Sequence, residues 1–106
     1  MTYQEAAAFL RGHDNYLILT HKRPDGDTIG CAAALCMGLR NLGKTAHICP
    51  GTGETRLFTP YLEGLLAPEG YGPETVVSVD IAARDLFTDT GKPWLERGID
   101  LAIDHH

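Results

Sequence analysis

The sequence predicts an α/β protein with a doubly wound, mostly parallel sheet. Short apolar runs alternate with segments of helical periodicity, as strands and crossover helices do in such folds. The runs are nearly continuous in hydrophobic residues, which indicates strands buried on both faces. Acids and histidines directly follow three of the four runs, at the carboxyl ends of strands, where open parallel sheets bind their ligands.

The chain begins with a predicted helix and a predicted strand. Thr2 can cap the helix, with Glu5 three residues later as in a capping box, and Gly12 ends it. After a turn, residues 16–20 form the first apolar run. We expect this run to be a strand in the interior of the sheet.

A helix and a second strand follow. Between residues 27 and 42 apolar side chains recur at three- and four-residue spacing, which predicts a helix, and Gly43 follows it as a C′ glycine. Residues 45–49 are the second predicted strand. The crossover between the two strands is long enough for parallel pairing, so the pattern predicts a βαβ unit.

The second half of the chain continues the alternation. Its predicted elements are a short helix at 58–66, a strand at 75–79, a short helix at 82–87, a helical turn at 93–97 and a strand at 99–103. The third strand is the richest in β-branched residues. We expect all four strands to form one layered α/β domain.

Composition limits the classes of function. The chain has 106 residues, of which 43% are hydrophobic and 22% charged, as in ordinary globular domains, so we expect one domain at most. It has neither a membrane-length apolar stretch nor a secretory leader pattern, and we expect a cytoplasmic location with no membrane partner. The spacing of Cys31, Cys36 and Cys49 fits no cysteine metal site and predicts reduced, buried thiols.

The clusters after the strands contain four acids and three imidazoles. They are His21, Asp25 and Asp27 after the first strand, Asp80 after the third, and Asp104, His105 and His106 after the fourth. Taken singly, each cluster has a simpler interpretation: a solvated turn, a helix cap or an exposed end. Together, at neighbouring strand ends, they predict a metal site whose mixed ligands suit Mn²⁺, Fe²⁺, Co²⁺ or Zn²⁺ better than Mg²⁺.

The spacing of the acids favours two ions rather than one. Asp25 and Asp27 flank a glycine, so their carboxylates can reach different ions, and Asp80 can bridge both. Such a pair activates a water and clamps phosphoryl oxygens. The net charge of −5 argues against a basic nucleic-acid-binding face, but bound cations would make the cleft attractive to phosphate. His13 and His47 fall outside the pattern and are expected to be ordinary surface or strand histidines.

The ordered motifs resemble those of a known superfamily. The set His21-x-x-Pro24-Asp25-Gly26-Asp27, Asp80 and Asp104-His105-His106 is similar to the first three motifs of the DHH phosphoesterases, from about Tyr16 to the end of the chain. Pro-Asp-Gly-Asp most resembles the nanoRNases (oligoribonucleases) that also act as 3′-phosphoadenosine 5′-phosphate phosphatases. The resemblance therefore implies a phosphoesterase acting on short single-stranded RNA or a nucleotide phosphate.

The resemblance also implies roles for the residues. One divalent ion, expected to be Mn²⁺, would be held by His21, Asp25 and Asp80, and a second by Asp27, Asp80 and His105. Asp104 would orient a ligand. His106 would contact the substrate phosphate or assist proton transfer.

Residues 1–106 correspond, on this resemblance, to the N-terminal portion of the DHH domain. A fourth acid and a C-terminal substrate-binding domain would follow it in a longer protein, for which a homodimer stays open. We therefore expect the isolated 106-residue piece to be inactive. The alternatives are a manganese-dependent inorganic pyrophosphatase, a cyclic-dinucleotide phosphodiesterase, or a truncated, non-catalytic metal- or nucleotide-binding module.

Overall fold

A four-stranded parallel sheet with helices on both faces forms the fold. The computed structural model describes residues 2–20, 26–50, 62–79 and 92–103. Its elements are α1 (Tyr3–Gly12), β1 (Tyr16–Leu19), α2 (Gly26–Asn41), β2 (Ala46–Ile48), β3 (Thr75–Val79), α3 (Lys92–Arg97) and β4 (Leu101–Ile103). The α/β prediction is confirmed, and the helix predicted at 82–87 lies outside the described residues.

The strands lie in the order β2-β1-β3-β4, and every pairing is parallel. Leu19 of β1 is opposite Ser78 of β3, and Val79 of β3 is opposite Ile103 of β4. The chain therefore leaves β1 to one side for β2, then crosses back to the other side for β3. The two central strands are β1 and β3, and each pairs with a strand on both sides.

The predicted helix boundaries hold at the residues that define them. The Thr2 hydroxyl accepts from the Glu5 amide at 3.1 Å, and the Glu5 carboxylate accepts from the Thr2 amide at 3.4 Å, which completes the capping box of α1. Gly43 has a φ of 83° and its amide donates to the Arg40 carbonyl at 3.0 Å. Glycine adopts this left-handed conformation without steric cost, so Gly43 can terminate α2, whose last helical residue is Asn41.

The hydrophobic core has one part on each face of the sheet. The larger part lies under α1 and α2 and includes Tyr16, Ile18, Ile29, Ala32, Cys36, Leu39, Ala46, Ile48, Val77 and Val79. The smaller part joins Leu17, Leu19, Cys49 and Val76, with Trp94 of α3 packed against it. The alternation of the strand residues between the two clusters explains why the runs are apolar throughout.

Asp14 and Asn15 tie the amino ends of three strands together. The Asp14 carboxylate accepts from the amides of Asn15 at 2.8 Å and Thr45 at 2.7 Å. The Asn15 carbonyl accepts from the amides of Glu74 at 2.9 Å and Thr75 at 3.2 Å, and the Thr75 hydroxyl donates to the Asp14 carbonyl at 3.0 Å. The amide donors, Thr45 foremost, hold the pKa of Asp14 below its usual value.

Asp100 attaches β4 to β3 in the same way. Its carboxylate accepts from the Val76 amide at 2.7 Å and from the Arg97 guanidinium at 3.0 Å, while its own amide donates to the Val76 carbonyl at 2.9 Å. Arg97 also donates to the Glu74 carbonyl at 2.8 Å. Burial raises the pKa of Asp100, but the Val76 amide and Arg97 outweigh it, and the net pKa lies below the usual value.

The outer edge of β2 is covered by residues 65–67, which come later in the chain. The Ile48 amide donates to the Leu65 carbonyl, and the Ala67 amide donates to the Ile48 carbonyl, both at 2.8 Å. Leu66 forms an isolated parallel bridge with Ile48. The prediction of a helix at 58–66 is therefore wrong at its end, because residues 65–67 pair with the outer edge of β2 instead. Residues 58–61 lie outside the described ranges.

Arg40 closes the remainder of this edge. Its guanidinium donates to the Ala46 carbonyl and to the Gly64 carbonyl, at 2.9 Å each. A third nitrogen lies 3.1 Å from Nδ1 of His47. Because a guanidinium only donates, Nδ1 must accept, so the imidazole is neutral with its proton on Nε2. Burial, followed by the charge of Arg40, lowers the pKa of His47.

No helix in the described ranges is long and apolar enough to cross a membrane. The three cysteines, all in the described ranges, form no disulfide, and Cys36 and Cys49 are buried as predicted. Cys31 is exposed, so the prediction of burial is wrong for this residue. It lies on the outer face of α2, whereas Ala32 beside it is turned into the core.

We predict that acidification destabilises the protein partly through His47. Because the folded-state pKa lies below the ordinary 6.5, the unfolded chain takes up the proton first. The stability that neutral His47 contributes is fully present above pH 6.5. It falls as the pH drops below this value, by at most about 1.4 kcal/mol per pH unit. Urea unfolding on both sides of this pH will show a smaller loss for His47→Asn, whose amide oxygen still accepts from Arg40.

The decisive comparison is between the wild type and His47→Asn, measured under the same conditions. A wild-type response in His47→Asn would contradict the role given to His47.

We also predict that Asp100→Ala destabilises the protein by about 1–3 kcal/mol, because the buried Val76 amide loses its acceptor. Asp100→Asn should cost less, since its amide oxygen can still accept. Urea unfolding midpoints at constant slope will measure both variants. Equal losses in the two variants would show that the acceptor is not what matters.

Candidate metal centre

Most of the predicted metal-site residues lie outside the described ranges. These are His21, Asp25, Asp80, Asp104, His105 and His106. The backbone of Asp27 is described, and it lies in the first turn of α2. What the structure establishes is the geometry of the strands and the helix on which these residues depend.

The three strands that precede the clusters are neighbours in the sheet. His21 follows β1 by two residues, and Asp80 and Asp104 directly follow β3 and β4. β3 lies between the other two, and all run in the same direction. The strand β2, whose carboxyl end carries no such cluster in the sequence, is on the far side of β1.

The register brings the ends of these strands to one level. One step beyond the Leu19–Ser78 pair, Thr20 is level with Val79, which is itself opposite Ile103. Within the described ranges, the three segments therefore end level with one another at the carboxyl edge. This edge is the one opposite to the Asp14 and Asp100 attachments.

The chain reverses its direction of winding between β1 and β3. It proceeds from β1 outward through α2 to β2, and reaches β3 on the other side of β1. In open α/β sheets the loops at the carboxyl ends separate at such a reversal and leave a crevice, which is where ligands bind. The first cluster and Asp80 follow the two strands that border it.

α2 contributes its positive end to this edge. It is a 16-residue helix that connects two parallel strands, so it starts at their carboxyl ends and runs back along the sheet. Unpaired amides at a helix N-terminus carry a partial positive charge and favour nearby anions. Asp27, in the first turn, suits this position with or without a metal ion.

Two buried hydroxyl residues lie near the carboxyl edge and were not predicted from the sequence. Thr20 and Ser78 are 3% and 2% exposed. Neither hydroxyl has a hydrogen-bond partner among the described residues. Burying a hydroxyl without a partner is costly, so each requires an explanation. A polar residue that interrupts an apolar run at its carboxyl end is the sequence signal that could have indicated them.

The histidines outside the clusters are a surface residue, His13, and a strand residue, His47, as predicted. His13 stacks on Phe9 with ring centroids 4.0 Å apart, and His47 meets the edge of Tyr71 at 4.7 Å. Within residues 2–20, 26–50, 62–79 and 92–103, no three histidine, cysteine or acidic residues are grouped so that they could hold a metal. The described thiols and imidazoles therefore form no second centre that competes with the predicted one.

A cavity of about 350 Å³ opens on the sheet face away from α2. It is lined mainly by apolar groups, among them Leu17, Ala67 and Trp94. The hydroxyl of Tyr71, which also lines it, is engaged with the Tyr16 carbonyl at 3.0 Å. The cavity thus provides apolar contact surface rather than the convergent polar groups of a catalytic site.

Comparison with protein families agrees with the clusters and the fold. Residues 15–106 match the model of the N-terminal domain of the DHH family. The match spans all four strands and every predicted site residue. Members of this family are generally phosphoesterases that depend on divalent metal ions. Since the match covers most of the chain, the protein belongs to the DHH family and contains its N-terminal domain.

Proposed function

We propose that the protein hydrolyses phosphate esters of short oligoribonucleotides, the 3′-phosphate of 3′-phosphoadenosine 5′-phosphate, or both, using a water activated between two metal ions. The observation that carries this proposal is the adjacency of β1, β3 and β4. Three acid- and histidine-bearing segments begin where these strands end at one level. Segments that leave neighbouring parallel strands at one edge have short distances to cover to meet.

We assign the ligands by motif. His21, Asp25 and Asp80 would hold one ion, and Asp27, Asp80 and His105 the other. The donor set fits transition metals, because it combines imidazole nitrogen with carboxylate oxygen, and Mn²⁺ is the ion we propose. The position of Asp27 in the first turn of α2 supports this assignment, since a helix start holds the backbone of a ligand rigidly.

When bound, two such ions supply an activated water and neutralise charge on the phosphoryl oxygens. The side chains of the chain do the remaining work. Asp80 is assigned to both ligand sets and would fix their spacing. Asp104 would orient a ligand, and His106 would contact the substrate phosphate or assist proton transfer.

The narrower substrate class rests on the form of the first motif. Pro24-Asp25-Gly26-Asp27 resembles the nanoRNases more than the pyrophosphatases or the cyclic-dinucleotide phosphodiesterases, which usually carry another residue at the position of Gly26. A negative overall charge is compatible with short substrates, which need few phosphate contacts beyond those at the metal centre.

We predict that the full-length gene product with Mn²⁺ releases mononucleotides from di- to pentanucleotides and phosphate from 3′-phosphoadenosine 5′-phosphate. Turnover should cease when a chelator removes the metal and return when Mn²⁺ is added. The panel should include pyrophosphate and a cyclic dinucleotide. Activity confined to either of these would replace the proposal with the corresponding alternative, and metal binding without turnover on all four would favour a non-catalytic module.

We predict that Asp80→Asn lowers activity by orders of magnitude, because one residue serves both ligand sets. Mn²⁺ binding by calorimetry should weaken in parallel, while the unfolding midpoint of the metal-free protein stays close to that of the wild type. Asp100→Asn is the matched control: it makes the same change at the opposite edge of the sheet and should leave turnover unchanged. An unaltered rate in Asp80→Asn would remove Asp80 from the site.

A further inference from the structure

Thr20 occupies an unusual position for a buried polar residue. It is 3% exposed, directly follows β1 and directly precedes His21 in the chain. Among the described residues its hydroxyl neither donates nor accepts a hydrogen bond. A valine would fill the same volume without the cost of desolvating a hydroxyl, so packing alone gives no reason for threonine.

The face of the sheet on which Thr20 lies limits which groups its hydroxyl can reach. Tyr16 and Ile18 belong to the core under α2, and Leu17 and Leu19 to the opposite face. Continuing this alternation, Thr20 lies on the face that α2 covers, level with Val79. The first turn of α2, which carries Asp27, begins at the same edge on this face. Ser78, the other buried hydroxyl residue, alternates with Val77 and Val79 and lies on the opposite face.

Thr75 is a buried threonine whose hydroxyl has a hydrogen-bond partner. It is 2% exposed, and its hydroxyl donates to the Asp14 carbonyl at 3.0 Å. The two threonines are thus equally buried at opposite edges of the sheet, and only the one at the amino edge has a partner in the described part of the chain. The difference locates the missing partner of Thr20 at the carboxyl edge.

We propose that Thr20 is a positioning residue of the metal centre, whose hydroxyl donates to a carboxylate ligand and holds it in the ligating orientation when the ions are bound. This inference rests on the proposed function. A hydrogen bond from the protein to a ligating carboxylate fixes its orientation, and residues of this kind typically contribute about 10- to 100-fold to metal affinity. The desolvated hydroxyl is the cost of that preorganisation in the metal-free protein.

The test compares three variants by two measurements, Mn²⁺ affinity by calorimetry and the unfolding midpoint of the metal-free protein. Thr20→Val should weaken Mn²⁺ binding about 10- to 100-fold while leaving the midpoint unchanged or higher, because an unpaired hydroxyl has been replaced by a methyl group. Thr20→Ser keeps the hydroxyl and should retain wild-type affinity. Thr75→Val should do the reverse of Thr20→Val, with a lower midpoint and unchanged affinity.

The outcomes separate this inference from the proposed function. If the wild type binds Mn²⁺ and Thr20→Val binds it equally well, the role of Thr20 is refuted and the proposed function stands. If Thr20→Val lowers the midpoint and the affinity together, the hydroxyl is structural and the inference also fails. If the wild type binds no Mn²⁺, the proposed function fails and the inference fails with it.

Discussion

The register of the sheet depends on the Asp14–Asn15 corner. One carboxylate and one carbonyl there accept four amide hydrogen bonds, which reach the start of β2 through Thr45 and the start of β3 through Glu74 and Thr75. Asn15 takes a φ of 53°, a left-handed conformation that asparagine tolerates better than most residues. A one-residue slip of either strand would break these bonds and turn its apolar side chains to the wrong face.

The two edges of the sheet therefore have different tasks. At the amino edge, acids are neutralised by backbone amides and by Arg97, and their lowered pKa values show that the folded state favours the charged carboxylates. At the carboxyl edge, the sequence supplies four acids, twice as many as these two. The stabilising contacts and the predicted site thus belong to opposite ends of the same strands, as is usual in parallel α/β folds.

Local signals in the sequence predicted much of this architecture. Thr2 with Glu5, Gly43, and the apolar runs identified α1, the end of α2 and the four strands, because each depends on a few adjacent residues. Three of the observed strands are shorter than the predicted runs by one or two residues, and β3 has the predicted bounds. Leu66 was predicted as helical because its spacing is helical, whereas its structure is decided by the open edge of β2.

The order of the strands could not be read from the sequence, because it depends on contacts between distant segments. The same holds for Arg40, which donates to carbonyls 6 and 24 residues away, and for the Thr20 hydroxyl, which has no partner in the described part of the chain. The candidate site was the more predictable part, since acids and histidines after apolar runs are conspicuous in any register. Its side chains stay a prediction, while the strand order on which their convergence depends is established.

The contacts that cover the outer edge of β2 also limit where a further strand could join the sheet. Edge strands recruit further strands through unpaired amides and carbonyls. On the β2 side Arg40 and Leu65–Ala67 already satisfy these groups at Ala46 and Ile48. Within the described ranges, β4 is the other edge strand, and it is the one at which a further strand could pair. That is the side of the sheet on which the last cluster begins, so one end of an added strand would lie beside the predicted site.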